Sequence, residues 1–377
     1  MVGGGLIGRS VAWRLAAGGL AVTVVAGEPA AAASRVAAGM LAPVTETAYT
    51  EETLLGLNLA SMERFPAFAA EVGEASGLPS GYRSGPTISV ASTADDAARL
   101  GALADYLTRL GLECSRLTSR EARRVEPLLA PTVRSGLLVP GDASCDNRLL
   151  LAALAVAGEH AGVRELPGFV HQVSSVAERV TGVVLADGSA IAAGTVVLAN
   201  GAWAGQVTGF PPVPVRPVKG QILRLDPGRY PQPGVVVRAF TRGSEIYLVP
   251  RDGGRELVVG ATVEELGFDR RVTAGGTYEL LRDARLALPM SAEYGLAETA
   301  VGYRPGTPDN APLLGRGALD GVVLATGHYR NGVLLTPITA DVVAELVLRD
   351  RLPAVAEPFG LARFERVPVA GSTEVRR

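Results

Sequence analysis

Three glycines near the start of the chain, in MVGGGLIGRS, are spaced to hold a phosphate: Gly3, Gly5 and Gly8 form G-x-G-x-x-G. Glycine there lets backbone N–H groups approach a pyrophosphate closely, and a helix N-terminus behind the loop adds its positive end. Far along the chain, Arg304 in GYRPGT and Arg330 in GHYRNG stand beside the turn residues Pro305-Gly306 and Asn331-Gly332. An arginine fixed on such a loop is a planar, bidentate donor suited to a carboxylate. The competing reading is a surface arginine, the usual fate of this residue type.

The elements around the glycines decide whether they can act as a cradle. LIGRSVAWRLAAGG predicts a helix, with Leu6, Val11 and Leu15 apolar and Gly18-Gly19 as its stop, and LAVTVVA predicts a buried strand. Loop, helix and strand make half of a βαβ unit. Only Met1 and Val2 precede the loop, so the rest of the leading strand is expected upstream of Met1. A dinucleotide fold also places an acid at the end of its second strand to hold ribose hydroxyls. VTVVAGEP puts Ala26 there, then Gly27, with Glu28 two residues late. Glu28 either reaches the ribose through a bent loop or is an ordinary exposed acid; both readings stay open.

The remaining sequence alternates helices and strands. EETLLGLNLASMERFPAFAAEVGEASG predicts a helix broken near Pro66, and STADDAARLGALADYLTRLG one capped by Ser92 or Thr93. SREARRVEP predicts a short helix with Ser119 as N-cap, and Asp146 caps another that ends at Gly162. From Val170 to Gly201 the texture is strands, with Asp187-Gly188 as a hairpin turn. PVRPVKGQILRL and EIYLVPRDGGRELVVGAT predict antiparallel strands, DGGR being a turn; TYELLRDARLALP predicts a helix. GVVLATG predicts a late strand, and a last helix follows the Asn331-Gly332 turn. No repeat and no low-complexity linker divides the chain, so its domains are expected to interleave.

Composition limits the function classes. The chain has 377 residues, 47% hydrophobic and 20% charged, enough for two cores. A net charge of −2 gives no electrostatic case for nucleic acid or an anionic membrane. Two cysteines, Cys114 and Cys145, and three histidines argue against a disulfide framework and a multi-ligand metal site. The start lacks the basic region of a signal peptide, and no apolar run reaches the roughly 18 residues of a spanning helix. A cytoplasmic protein is expected.

GGGLIGRSVAWRLA, SRVAAGMLAP, VVLANGAWAG, YLVPR, GYRPGTPDNAPLLG and GHYRNGVLLTP occur here in the order and spacing of the glycine oxidases. Over essentially its whole length the chain resembles that family, the FAD-dependent enzymes of thiamine biosynthesis within the wider D-amino-acid oxidase family. The resemblance implies an α/β fold: a glutathione-reductase-like FAD-binding domain with an interleaved α+β substrate domain on a mixed antiparallel sheet. The expected division is 1–82, 145–215 and 303–367 for the FAD domain, 83–144 and 216–302 for the substrate domain, and 368–377 as a tail.

The same resemblance implies oxidative deamination of glycine, sarcosine or small D-amino acids to the imine or 2-oxo acid. Oxygen would be reduced to hydrogen peroxide, and the glycine imine would supply the thiazole of thiamine. Alternatives are a D-amino-acid dehydrogenase with a non-oxygen acceptor, or a non-catalytic flavin-binding protein of the pathway. Arg304, Arg330 and Tyr247 would bind the substrate carboxylate, with no side chain assigned as acid or base.

Non-covalent FAD would lie along Gly3, Gly5, Leu6, Ile7 and Gly8, with Gly27 and Glu28 at the adenosine. Ser34, Ala38, Gly39 and Met40 would line it, Val173 would meet the adenine half, and His328, Arg330, Asn331, Gly332, Val333 and Leu334 would form the flavin loop. Glu245 and Val263 depart from the family pattern and imply a pocket altered at its rim. No metal is expected; a homo-oligomer is, the tetramer being one option. Both cysteines precede the region through which sarcosine-oxidase relatives attach their flavin.

Overall fold

The computed structural model describes residues 1–27, 31–251 and 255–364. Its first sheet is mainly parallel. Strand Thr23–Ala26 pairs in parallel with Arg164–Pro167, and Val196–Leu198 pairs in parallel with Val322–Thr326. Val2 bridges both pairs, in parallel with Val25 on one side and Leu198 on the other. Gly3 donates to the Val25 carbonyl at 2.9 Å and Val2 to the Val197 carbonyl at 2.8 Å. The short stretch before the glycine loop therefore lies between the two pairs, hydrogen-bonded on both edges. Leu313–Arg316 adds an antiparallel strand beyond Val322–Thr326.

Helix Leu6–Ala17 packs on this sheet with helix Thr336–Arg349, burying Val11, Leu15, Val343 and Leu346 against Val197, Val323 and Ala325. Each such side chain contributes about 1.5–3 kcal/mol on burial. That burial fixes the loop-to-helix junction rigidly at the C-terminal edge of the strands, where an α/β sheet binds its ligand.

The second sheet has eight strands. In spatial order they are Gly295–Gly306, Arg216–Asp226, Leu257–Gly260, Ser244–Pro250, Val236–Thr241, Thr87–Ala91, Ser135–Val139 and Ser115–Thr118. Only Val236–Thr241 with Thr87–Ala91 is parallel; every other neighbouring pair is antiparallel, as expected of a mixed sheet. Its strands come from two separated stretches of chain, which is the interleaving the sequence implies. The boundary expected at 302/303 falls inside the strand Gly295–Gly306. A small antiparallel meander, Val170–Val176, Arg179–Leu185 and Ala190–Ala192, packs beside the parallel sheet.

Two local expectations are corrected, and one choice between two caps is decided. Glu52–Ser76 is one continuous helix through Pro66. Pro66 is exposed, on the solvent side of the helix, while Phe65, Phe68 and Val72 anchor the helix in the core. The short helix Ser119–Val125 is capped by Thr118, not Ser119: Thr118 and Glu121 form a capping box, and Ser119 donates to the Val133 carbonyl at 2.6 Å. Thr93, not Ser92, caps helix Ala94–Arg109. Asp146 caps helix Asn147–His160 as expected, accepting from the Arg148 and Leu149 N–H groups. Most of the DGGR turn, with Glu28 and the 368–377 tail, lies outside the described residues.

Candidate active site

One cavity of about 800 Å³ runs from the glycine loop to the eight-stranded sheet. At its first end, packing rather than flexibility requires glycine. Gly3 has φ +103°, and a Cβ on it would lie 2.6 Å from the Ala199 carbonyl oxygen. A Cβ on Gly8 would lie 2.0 Å from the Gly3 carbonyl oxygen. Gly3 and Gly5 border the cavity with Leu6 and Ile7, whereas Gly8 only lets the helix close on the loop. Gly5 offers no side-chain cap, and apart from the Leu6 N–H the helix N-terminus is left for an anion. Ser34 accepts the Leu6 N–H at 3.0 Å and holds the segment Ala33–Val36 beside that terminus.

Beyond the loop, Gly27, Phe169, Val170 and His171 enclose the cavity. Val173 does not reach it. Its side chain packs with Val25 and Val183 in the core and its N–H donates to the Thr208 carbonyl at 2.9 Å, because the strand's alternation turns it inward. Val170, three residues earlier, takes the lining position.

Ala38, Gly39 and Met40 line the middle of the cavity. Gly39 has φ +72°, and a Cβ there would sit 1.9 Å from the Cys145 carbonyl oxygen. A chain of bonds anchors this segment from below. Buried Arg251 donates to the Cys145 carbonyl at 3.0 Å and to Asn147 Oδ1 at 2.8 Å, and Asn147 Nδ2 donates to the Ser34 carbonyl at 2.7 Å. His328, Arg330, Gly332 and Val333 face the cavity from another side. His328 Nε2 lies 2.9 Å from Thr339 Oγ1, and burial pushes its pKa down to about 3, so the ring is neutral.

Asn331 and Leu334 are not on the cavity wall. Asn331 shapes the turn, its N–H donating to the His328 carbonyl and its carbonyl accepting from Leu335, while Leu334 is buried with its carbonyl accepting from Ser61. Neither cysteine lines the cavity. Among the described residues no cluster of His, Cys, Asp and Glu could hold a metal ion.

The far end is where Arg304, Tyr247, Arg330 and Glu46 meet one space. Arg304 Nη1 donates to the Thr262 carbonyl at 3.1 Å, which aims the rest of the guanidinium inward. Tyr247 stands directly opposite Gly260 across paired strands, and a Cβ on Gly260 would lie 2.4 Å from the phenol ring. Gly220 likewise clears space for Arg304. Burial pushes the Tyr247 phenol pKa up, with the Arg304 charge opposing, so it remains a neutral donor. Arg330, the more exposed of the two arginines, lies 3.9 Å from Glu51 and over the Tyr329 ring. Glu245 pairs instead with buried Arg238, and neither it nor the exposed Val263 lines the cavity.

Gly220, Gly260, Glu46 and Phe169 escaped the sequence reading. The two glycines did carry a signal, since glycine inside a strand marks a close approach. Glu46 and Phe169 carried none, being an ordinary loop acid and an ordinary aromatic until the fold brings them to the cavity.

Open loop, exposed helix terminus and small-residue wall fit an extended dinucleotide with a flat ring. Comparison with known proteins agrees. Residues 1–346 match the family model DAO, FAD dependent oxidoreductase. The chain is 35% identical over 368 residues to the bifunctional protein ThiO/ThiG of Synechocystis sp., covering 97% of this chain and 53% of that protein. It thus spans about half the length of the bifunctional relatives it matches. It is also 35% identical to the glycine oxidase of Geobacillus kaustophilus, over 96% of each chain. The crystal structure of glycine oxidase from that organism superposes with a TM-score of 0.86 at 32% identity, covering 96% of this chain and 97% of that one. The chain therefore belongs to the glycine oxidases of the FAD-dependent oxidoreductase (DAO) family, and FAD is its cofactor.

Proposed function

We propose that this enzyme oxidises small amino acids, glycine foremost, to their imines, with oxygen as electron acceptor and hydrogen peroxide as product. The observation that carries the reading is the convergence of Arg304 and Tyr247 at one end of the FAD cavity, each seated in a space left by a strand glycine. A substrate as small as glycine offers little but its carboxylate and its amine. Arg304 supplies a planar charged donor for the carboxylate, Tyr247 a neutral hydroxyl donor, and Arg330 a second charge at the rim.

FAD, when bound, would supply the redox chemistry, taking the two electrons of the substrate Cα–H bond as a hydride and delivering them to oxygen. The protein's part is orientation, which can lower a barrier by several kcal/mol (roughly 7–11 at best). Buried His328 is neutral but held against Thr339, away from a role as base. The substrate amine is then neutral in the reactive complex, and no side chain has to remove the Cα proton. Handing the glycine imine to thiazole formation goes with the same reading, since the relatives from Synechocystis and Trichormus are named as bifunctional ThiO/ThiG proteins. So do a cytoplasmic setting and a homo-oligomer. No helix among the described residues is long and apolar enough to cross a membrane.

The test is a visible spectrum of the FAD-loaded protein before and after anaerobic glycine. Flavin bands that bleach, then return with stoichiometric peroxide on admitting air, are the expected result. Bleaching without peroxide would point to a dehydrogenase, and no bleaching with any small amine to a non-catalytic flavoprotein.

A further inference from the structure

The end of the first parallel strand poses a chemical problem. Ala26 stands where this fold usually has an acid for the adenosine ribose, and its methyl group accepts no hydrogen bond. Gly4 packs directly over that position: a Cβ on Gly4 would lie 2.5 Å from Ala26 Cβ and 3.7 Å from Arg9 Nε. The place the acid should serve is therefore next to Arg9.

Arg9 does not point into solvent from its helix. Its Nε donates to the Gly4 carbonyl at 2.8 Å, and both terminal nitrogens bond Glu165, one to each carboxylate oxygen, Nη2 to Oε2 at 3.0 Å. Glu165 belongs to Arg164–Pro167, the parallel neighbour of the Ala26 strand, in register with Val24. Arg9 and Glu165 both border the cavity, beside Gly27 and Phe169. The Glu165 side chain is 41% exposed and that of Arg9 16%, so this is no buried structural pair. Exposed ion pairs contribute only about 0–1 kcal/mol to stability, which leaves the pair's placement without a stability reason. Each carboxylate oxygen accepts one N–H from Arg9 and keeps lone-pair capacity for a hydroxyl donor.

We propose that Glu165, oriented by Arg9, accepts the ribose hydroxyls of the FAD adenosine in place of the absent acid at position 26. The acceptor has moved one strand outward, and the helix residue just past the glycine motif holds it at the level of the loop. The inference rests on FAD as cofactor, not on the identity of the substrate.

The test compares FAD with an FAD analogue carrying 2′,3′-dideoxyadenosine, titrated by flavin fluorescence into protein stripped of its cofactor. Native protein should bind the analogue about tenfold more weakly, the scale of a hydrogen bond to a charged group. Glu165→Gln should bind FAD about tenfold more weakly than native and lose most of the preference over the analogue. Glu28→Gln should keep both the affinity and the preference. A merely structural role for Glu165 would weaken both ligands equally and leave the preference intact, which would overturn the proposal. So would a native protein without preference, or a preference that disappears in Glu28→Gln.

Discussion

Gly220 makes the room that Arg304 occupies: a Cβ at position 220 would lie 2.5 Å from Arg304 Nη1 and 2.8 Å from its Cζ. The two residues sit on adjacent strands, where Gly220 pairs with Gly302 and Arg304 with Val218. Gly220→Ala should therefore act like a weak Arg304→Ala, displacing the guanidinium without removing it. Loss of a charge-assisted hydrogen bond costs about 1.5–3 kcal/mol, so Arg304→Ala should raise the glycine KM at least about tenfold. Gly220→Ala should raise it by less. FAD content and the flavin spectrum should stay those of the parent in both. Steady-state kinetics with a spectrum of each variant checks this, and loss of FAD from either would place Arg304 in the cofactor site instead.

Tyr247 and Gly260 form the second such pair, this time directly across two strands. Tyr247→Phe keeps the ring and removes only the hydroxyl, so KM should rise about tenfold with little change in kcat. Because burial pushes the phenol pKa up, the KM of the parent should show no inflection from Tyr247 between pH 7 and its ordinary pKa of about 10. An inflection that vanishes in Tyr247→Phe would contradict the buried, neutral phenol.

Much of this arrangement was legible in the sequence, for reasons that can be named. The glycine loop, its helix and the valine-rich strand announce themselves by local spacing, and the structure places them as expected. Tyr247 stands out only because its motif resembles a family, periodicity alone leaving it a core tyrosine; for Arg304 the turn neighbours leave a ligand and a surface reading open, and the same resemblance favours the ligand. Val173 was misplaced by three residues along a strand, and the alternation of faces turned that slip into a buried side chain. Pro66 misled because a proline signals a break locally, while the apolar anchors on both sides of it hold the helix together. Glu46, Phe169 and the Arg9–Glu165 pair depend on contacts across distant stretches of chain, which no local pattern reports.

His328 ties stability to pH. Its folded pKa of about 3 lies far below the ordinary value of 6.5, because the ring is buried. The unfolded chain then binds the proton first, so the contribution is full above pH 6.5 and is lost as pH falls toward 3. Between pH 7 and 5 this amounts to about 2 kcal/mol. Asp142 opposes it: burial raises its carboxyl to about 6, which favours the folded state as pH falls through the same window. Comparing His328→Gln with the parent removes the Asp142 part. The parent should lose more Tm than the variant between pH 7 and 5, and equal losses would mean that His328 is not held neutral.

Phe169 gives a prediction about the other end of the cofactor. Its ring stands over the end of strand Thr23–Ala26, so close that a Cβ on Gly27 would lie 2.3 Å from Phe169 Cζ. The residue is 54% exposed, an unusual position for a phenylalanine that buries no core. It borders the same cavity as Gly27 and Val170, where an adenine would find an aromatic face. Stacking of a base on an aromatic side chain is worth about 1–3 kcal/mol, so Phe169→Ala should weaken FAD binding about tenfold. Phe169→Trp should restore it, since the contact asks only for a flat ring. FMN, which lacks the adenosine, should bind the parent and Phe169→Ala equally. A variant that loses FMN and FAD alike would show that the ring supports the fold of the cavity rather than the adenine, and fluorescence titration of both ligands separates the two.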